Sequence, residues 1–104
     1  MKAIETLTTD EERAAQVFRA LGNPARILIV RELARRNACM TGDLVDVLPL
    51  AQSTVSQHLK VLKEAGIVVG TIEGANTCYC LDPAAMRWIA AFCEGLCCGS
   101  AECL

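Results

Sequence analysis

The chain has 104 residues, 53% of them hydrophobic and only 4% aromatic, which is enough for one domain (residues 1–104) and too little for two. A formal net charge of −2 weighs against a generally basic nucleic-acid coat, so any DNA affinity must come from how charge is distributed and should be strongly salt-sensitive. No run of about 18 apolar residues and no basic-then-apolar leader is present, which argues against a membrane span and leads us to expect a soluble, cytoplasmic protein.

In chain order, Thr8-Thr9-Asp10-Glu11-Glu12 supplies an N-cap and early acids for a first helix running to about Leu21. Ala14, Val17, Phe18 and Leu21 form its apolar face. Gly22-Asn23-Pro24 stops that helix and starts another, with Asn as cap and Pro at the first helical position. The second helix runs from Pro24 to about Arg36, with Ile27, Leu28, Val30 and Leu33 expected inside. Arg26, Arg31, Arg35 and Arg36 project from it, and Arg26 is a candidate for a DNA phosphate.

A short helix from about Gly42 to Val47 is stopped by Pro49, and a longer one starts near Gln52 or Ser53 and ends at Gly66. Val55, Leu59 and Leu62 recur at helical spacing and predict a buried stripe. The other face carries Ser53, Thr54, Ser56, Gln57, His58, Lys60 and Lys63, with Glu64 as its one acid at the far end. Short hydrogen-bonding side chains at the N-terminal end and cations beyond suit a helix that reads base edges in the major groove. The pair is a helix-turn-helix.

Ile67–Ile72 and Thr77–Leu81 are β-prone and flank Glu73-Gly74-Ala75-Asn76, a hairpin turn by composition. The fold class is therefore mainly α with a small β-hairpin wing: a winged helix-turn-helix. Alternation sets Tyr79 and Leu81 on one strand face and Cys78 with Cys80 on the other. Asp82-Pro83 caps a last helix from about Ala84 to Leu96, apolar nearly all round with Met86, Trp88, Ile89, Phe92 and Cys93. Such a helix is expected against a second subunit.

Of the seven cysteines, four lie in the last twelve residues, a clustering that points to a metal or redox site. No nucleophile is paired with the single histidine and no Cys-x-x-Cys occurs, so an enzyme is not expected.

Three segments together make the chain resemble the ArsR/SmtB family of metal-sensing repressors over nearly its full length. They are Ala20-Leu-Gly-Asn-Pro-Ala-Arg-Ile-Leu28, Gln52-Ser-Thr-Val-Ser-Gln-His-Leu-Lys-Val-Leu-Lys-Glu-Ala-Gly-Ile67 and the wing ending in Tyr79-Cys-Leu-Asp-Pro83. The resemblance implies a homodimer, with the first and last helices at its interface, that binds operator DNA and releases it when a metal or metalloid binds. Two of the family's sites are missing. The Cys-x-Cys pair before an Asp-Leu becomes Met40-Thr41-Gly42 before Asp43-Leu44, with Cys39 alone and one place early. The Asp, His and Glu ligands of zinc sensors find no histidine on the last helix.

What remains, Cys97-Cys98-Gly-Ser-Ala-Glu-Cys103, resembles the vicinal-cysteine site of an arsenite-responsive branch and makes residues 97–104 a thiol-rich inducer-binding tail. Gly99 lets the backbone leave the helix so that Cys103 can return toward the pair. Three thiols suit As(III), or Sb(III), which forms three bonds and keeps a lone pair; no organic cofactor is expected. Cys93, one turn before Cys97, is either a fourth ligand, favouring cadmium, lead or zinc, or a small core residue, which we expect. Cys39, Cys78 and Cys80 are expected to pack. A thiol redox switch is the competing reading of the same tail.

Overall fold

The computed structural model describes residues 6–36, 43–73 and 76–97, which form five helices and a two-stranded antiparallel hairpin. The first helix, α1 (Thr9–Leu21), starts at a reciprocal capping box. The Glu11 N–H donates to Thr8 Oγ1 at 3.1 Å, and the Thr8 N–H donates to the Glu11 carboxylate at 2.8 Å. Asn23 caps α2 (Pro24–Arg36), its Oδ1 accepting from the backbone of Ala25 at 2.9 Å and of Arg26 at 3.4 Å. After α3 (Asp43–Val47) comes α4 (Gln52–Glu64), which packs against α1, α2 and α3. It starts at Gln52, as expected; its N-cap is Ala51, and no side chain caps it.

The end of α4 is a Schellman motif. The Ile67 N–H donates to the Leu62 carbonyl at 2.9 Å and the Gly66 N–H to that of Lys63 at 3.0 Å, with Gly66 at φ 79°. Leu62 and Ile67, which flank the turn, are both fully buried. This closure sets the direction in which the wing leaves α4. β1 (Val68–Glu73) pairs with β2 (Asn76–Leu81) from Val68↔Leu81 to Glu73↔Asn76, one pair further than the expected strands. The Asp82 N–H donates to the Ile67 carbonyl at 2.9 Å, and Asp82 Oδ1 accepts from Ala84 at 3.0 Å, starting α5 (Pro83–Gly95).

The core joins Ala14, Val17 and Ala20 of α1 to Ile29 and Leu33 of α2 and to Val55, Leu59 and Leu62 of α4. Leu44, Leu48, Ile67, Val68 and Ile89 complete it. The α4 stripe is the one the spacing predicts. On α2 the expected stripe holds only at Leu33: Ile29 is fully buried, Leu28 and Val30 are half-buried, and Ile27 is 47% exposed. Ile27 and Ile29 lie about 200° apart around a helix, so only one of them can face the core. Phe18 is likewise 44% exposed, while Ala20 takes the inner position on α1.

Glu32, also unforeseen, is buried, at 7% exposure. Arg35 holds its carboxylate at 3.0 Å and Arg36 at 3.6 Å. The Arg35 hydrogen bond keeps the Glu32 carboxyl below the usual carboxylate range, overcoming the opposing effect of burial, and the charges of Arg35 and Arg36 act in the same sense.

Candidate DNA interface and thiol site

Consecutive residues on α4 are separated by 100°, so the buried stripe fixes where every other side chain points. Ser53, Ser56, Gln57 and Lys60, spaced i, i+3, i+4 and i+7, form one exposed row away from Val55, Leu59 and Leu62. That row contains three hydrogen-bonding groups and a cation, and no acid. Thr54 and His58 are half-buried on the flank that faces α2. Lys63 lies toward the wing: a Cβ added at Gly70 of β1 would stand 3.4 Å from its Nζ. The missing side-chain cap at Ala51 leaves the first-turn N–H groups of α4 without a side-chain acceptor.

Arg26 is turned inward rather than held out toward a phosphate. Its Nε–H donates to His58 Nδ1 at 3.2 Å, and its Nη1 donates to the carbonyls of Arg19 at 3.4 Å and Ala20 at 3.3 Å. It thereby places a cation on the last carbonyls of α1, where the helix dipole favours one. Across the same junction, Gln16 Nε2 donates to the Glu64 carbonyl at 3.3 Å. Sequence spacing could not reveal the Arg26–His58 contact, which joins residues 32 positions apart.

On the wing, Tyr79 and Leu81 are half-buried against the main core and Cys78 is buried. The burial of Cys78 accords with the packing expected of it. Cys80 departs from that expectation, since it is disulfide-bonded. Cys39 lies outside the described residues.

The last helix carries the candidate thiols. Its inner side is Ala85 and Ile89, with Met86, Trp88 and Phe92 half-buried. Phe92 meets Phe18 of α1 edge-on at 6.3 Å and stacks on Trp88 at 5.8 Å, and the Arg13 guanidinium sits 4.0 Å over the Trp88 ring. Cys93 is exposed, not core as expected: the buried row of α5 ends one turn earlier, at Ile89. Cys97 is exposed one turn later, and its Sγ lies 3.8 Å from the Cys93 carbonyl. Both carry free thiols. Cys98 and Cys103 lie outside the described residues, and among the described residues no three His, Cys, Asp or Glu side chains gather as a metal site.

No helix among the described residues is long and apolar enough to cross a membrane. Residues 23–69, spanning α2 to the start of the wing, match the bacterial regulatory proteins of the arsR family. The chain is 40% identical over 72 residues to an HTH-type transcriptional regulator of Methanocaldococcus jannaschii, across 68% of this chain and 81% of that one. It is 31% identical over 83 residues to the arsenical resistance operon repressor of Bacillus subtilis, across 80% and 77% of the two chains. The solved ArsR-like transcriptional regulator from Rhodococcus sp. RHA1 superposes with a TM-score of 0.75 at 28% identity, covering 82% of this chain and 79% of that one. A reading helix with an acid-free outer row, a hairpin wing and these likenesses lead to one conclusion: the chain belongs to the ArsR/SmtB family of bacterial winged helix-turn-helix transcriptional regulators, a DNA-binding family and not an enzyme family.

Proposed function

We propose that this protein is a metal-responsive transcriptional repressor that holds operator DNA as a homodimer and releases it when As(III) or Sb(III) binds Cys97, Cys98 and Cys103. The observation that carries the inducer reading is the exposed free thiol of Cys97 at the end of the helix that packs on α1. Thiolates are the ligands that soft ions select. Arsenous acid is neutral, and three thiols condense with it to give a neutral trithiolate and three waters. A divalent ion in the same three-sulfur site would leave one negative charge without compensation.

Dimerisation through α1 and α5 has its support in the apolar surface they leave uncovered. Phe18 is 44% and Leu96 70% exposed, flanking the half-buried Trp88 and Phe92. An inducer site at the end of that surface can alter the spacing of two reading helices without touching DNA, and a coupling of about 1–3 kcal/mol is enough for roughly five- to 150-fold weaker operator binding.

The exposure of Cys93 favours a second reading, in which it adds a fourth sulfur for cadmium, lead or zinc in tetrahedral coordination. The disulfide at Cys80 favours a third, a repressor whose thiols respond to oxidation. One experiment separates all three: gel shift of the promoter upstream of this gene, with and without reductant, titrated in turn with arsenite, antimonite, cadmium and zinc. Release by arsenite or antimonite that C97S abolishes and C93S spares supports the three-thiol site. Release by cadmium or zinc that C93S abolishes supports four sulfurs. Release on removing reductant alone supports the redox switch.

A further inference from the structure

We infer that Arg26 is a positioning residue for DNA reading: it fixes the tautomer of His58, so that His58 presents an Nε2–H donor to an acceptor on the operator. The inference rests on α4 being the reading helix. The arginine side chain carries five N–H donors and no acceptor, so its 3.2 Å contact with Nδ1 requires the lone pair of that nitrogen. The proton of the neutral imidazole is then on Nε2. That atom has no hydrogen-bond partner among the described residues, and no unpartnered side-chain nitrogen or oxygen there is fully buried, so Nε2 is not sealed from solvent.

Arg26 itself is held by the last carbonyls of α1, at 3.3 and 3.4 Å, so the imidazole is oriented by a group fixed to two other helices. A histidine without that partner exchanges between its two tautomers and loses the fixed donor. The complementary groups on DNA are acceptors only: purine N7, guanine O6 or a phosphate oxygen.

His58 is the only histidine in the chain, so its ring nitrogens can be followed by NMR without assignment ambiguity. The DNA-free protein should show a bare Nδ1 and a protonated Nε2, and R26K should show a mixture. The lysine introduced by R26K keeps a cation for the Arg19 and Ala20 carbonyls but loses the planar fork that spans to the ring. R26K and H58A should each bind operator roughly ten-fold more weakly, and the double variant no more weakly than either. H58Q carries its own donor near the Nε2 position and needs no tautomer, so adding R26K to it should cost little. Loss confined to the operator identifies a base acceptor, and loss shared with unrelated duplex identifies a phosphate; both uphold the donor role.

A wild-type imidazole protonated on Nδ1, losses that multiply in the double variant, or R26K binding as tightly as wild type would each overturn it. If the wild-type protein bound no operator at all, the DNA reading of α4 would fall instead, a result distinct from a wrong tautomer.

Discussion

Gly66 offers the cleanest test of how the reading helix is joined to the wing. It sits at φ 79°, and a Cβ built there meets nothing within 4 Å, so G66A is opposed by backbone conformation alone. Holding an L-residue in the left-handed region costs about 1–2 kcal/mol. Alanine also narrows the unfolded ensemble, which offsets about 0.4–1 kcal/mol of that cost. The net destabilisation is therefore about 1 kcal/mol, a fall in Tm of about 4–8 °C for a domain of this size.

Gly95, the last residue of α5, is the control. It too has open space around its missing Cβ, but its φ lies outside the left-handed region, so G95A should stabilise by about 0.5–1 kcal/mol. Thermal melts by circular dichroism, at one protein concentration so that dimerisation does not confound them, read both variants. G66A melting at or above the wild-type temperature would refute the claim that the left-handed conformation governs this turn.

On the reading row, S56A and Q57A should each weaken specific operator binding by about 1–3 kcal/mol with unchanged circular dichroism; wild-type affinity in both would remove α4 as the reader. Sedimentation at micromolar concentration should give a homodimer, with reading helices roughly 34 Å apart and so one DNA turn between half-sites, whereas a monomer bound one chain per site contradicts the interface read on α1 and α5. Changing Cys97, Cys98 or Cys103 to Ser should leave repression intact and abolish arsenite release, while Cys39, Cys78 or Cys80 changed to Ser retains it; C103S protein that still leaves its operator at wild-type arsenite concentration disproves the three-thiol site. For Glu32, the folded pKa lies below the ordinary value of 4.5, so its ion pairs stabilise the fold fully above that value and lose the contribution as pH falls through the folded pKa. E32Q should therefore flatten the acid limb of a stability-against-pH curve, and an unchanged limb would show that Arg35 and Arg36 contribute nothing.

The sequence alone determined where α1, α2 and α5 begin and where α4 ends, because caps are local chemistry. Thr8 with Glu11, Asn23-Pro24, Gly66 and Asp82-Pro83 bond to backbone groups within a few residues of themselves. It also determined the buried stripe of α4, whose polar and apolar residues alternate cleanly enough to give one orientation. On α2 that signal is weak, since apolar residues occur on several sides, and tertiary packing chose Ile29 over Ile27. The roles of the charged residues were likewise tertiary. Arg26 has the same composition and helix position whether it meets solvent or His58, and only the approach of α4, 32 residues later, turns it inward. Glu32 is tolerated inside because Arg35 and Arg36 stand one turn beyond it, and a helix-facing calculation sees only a carboxylate that ought to face water.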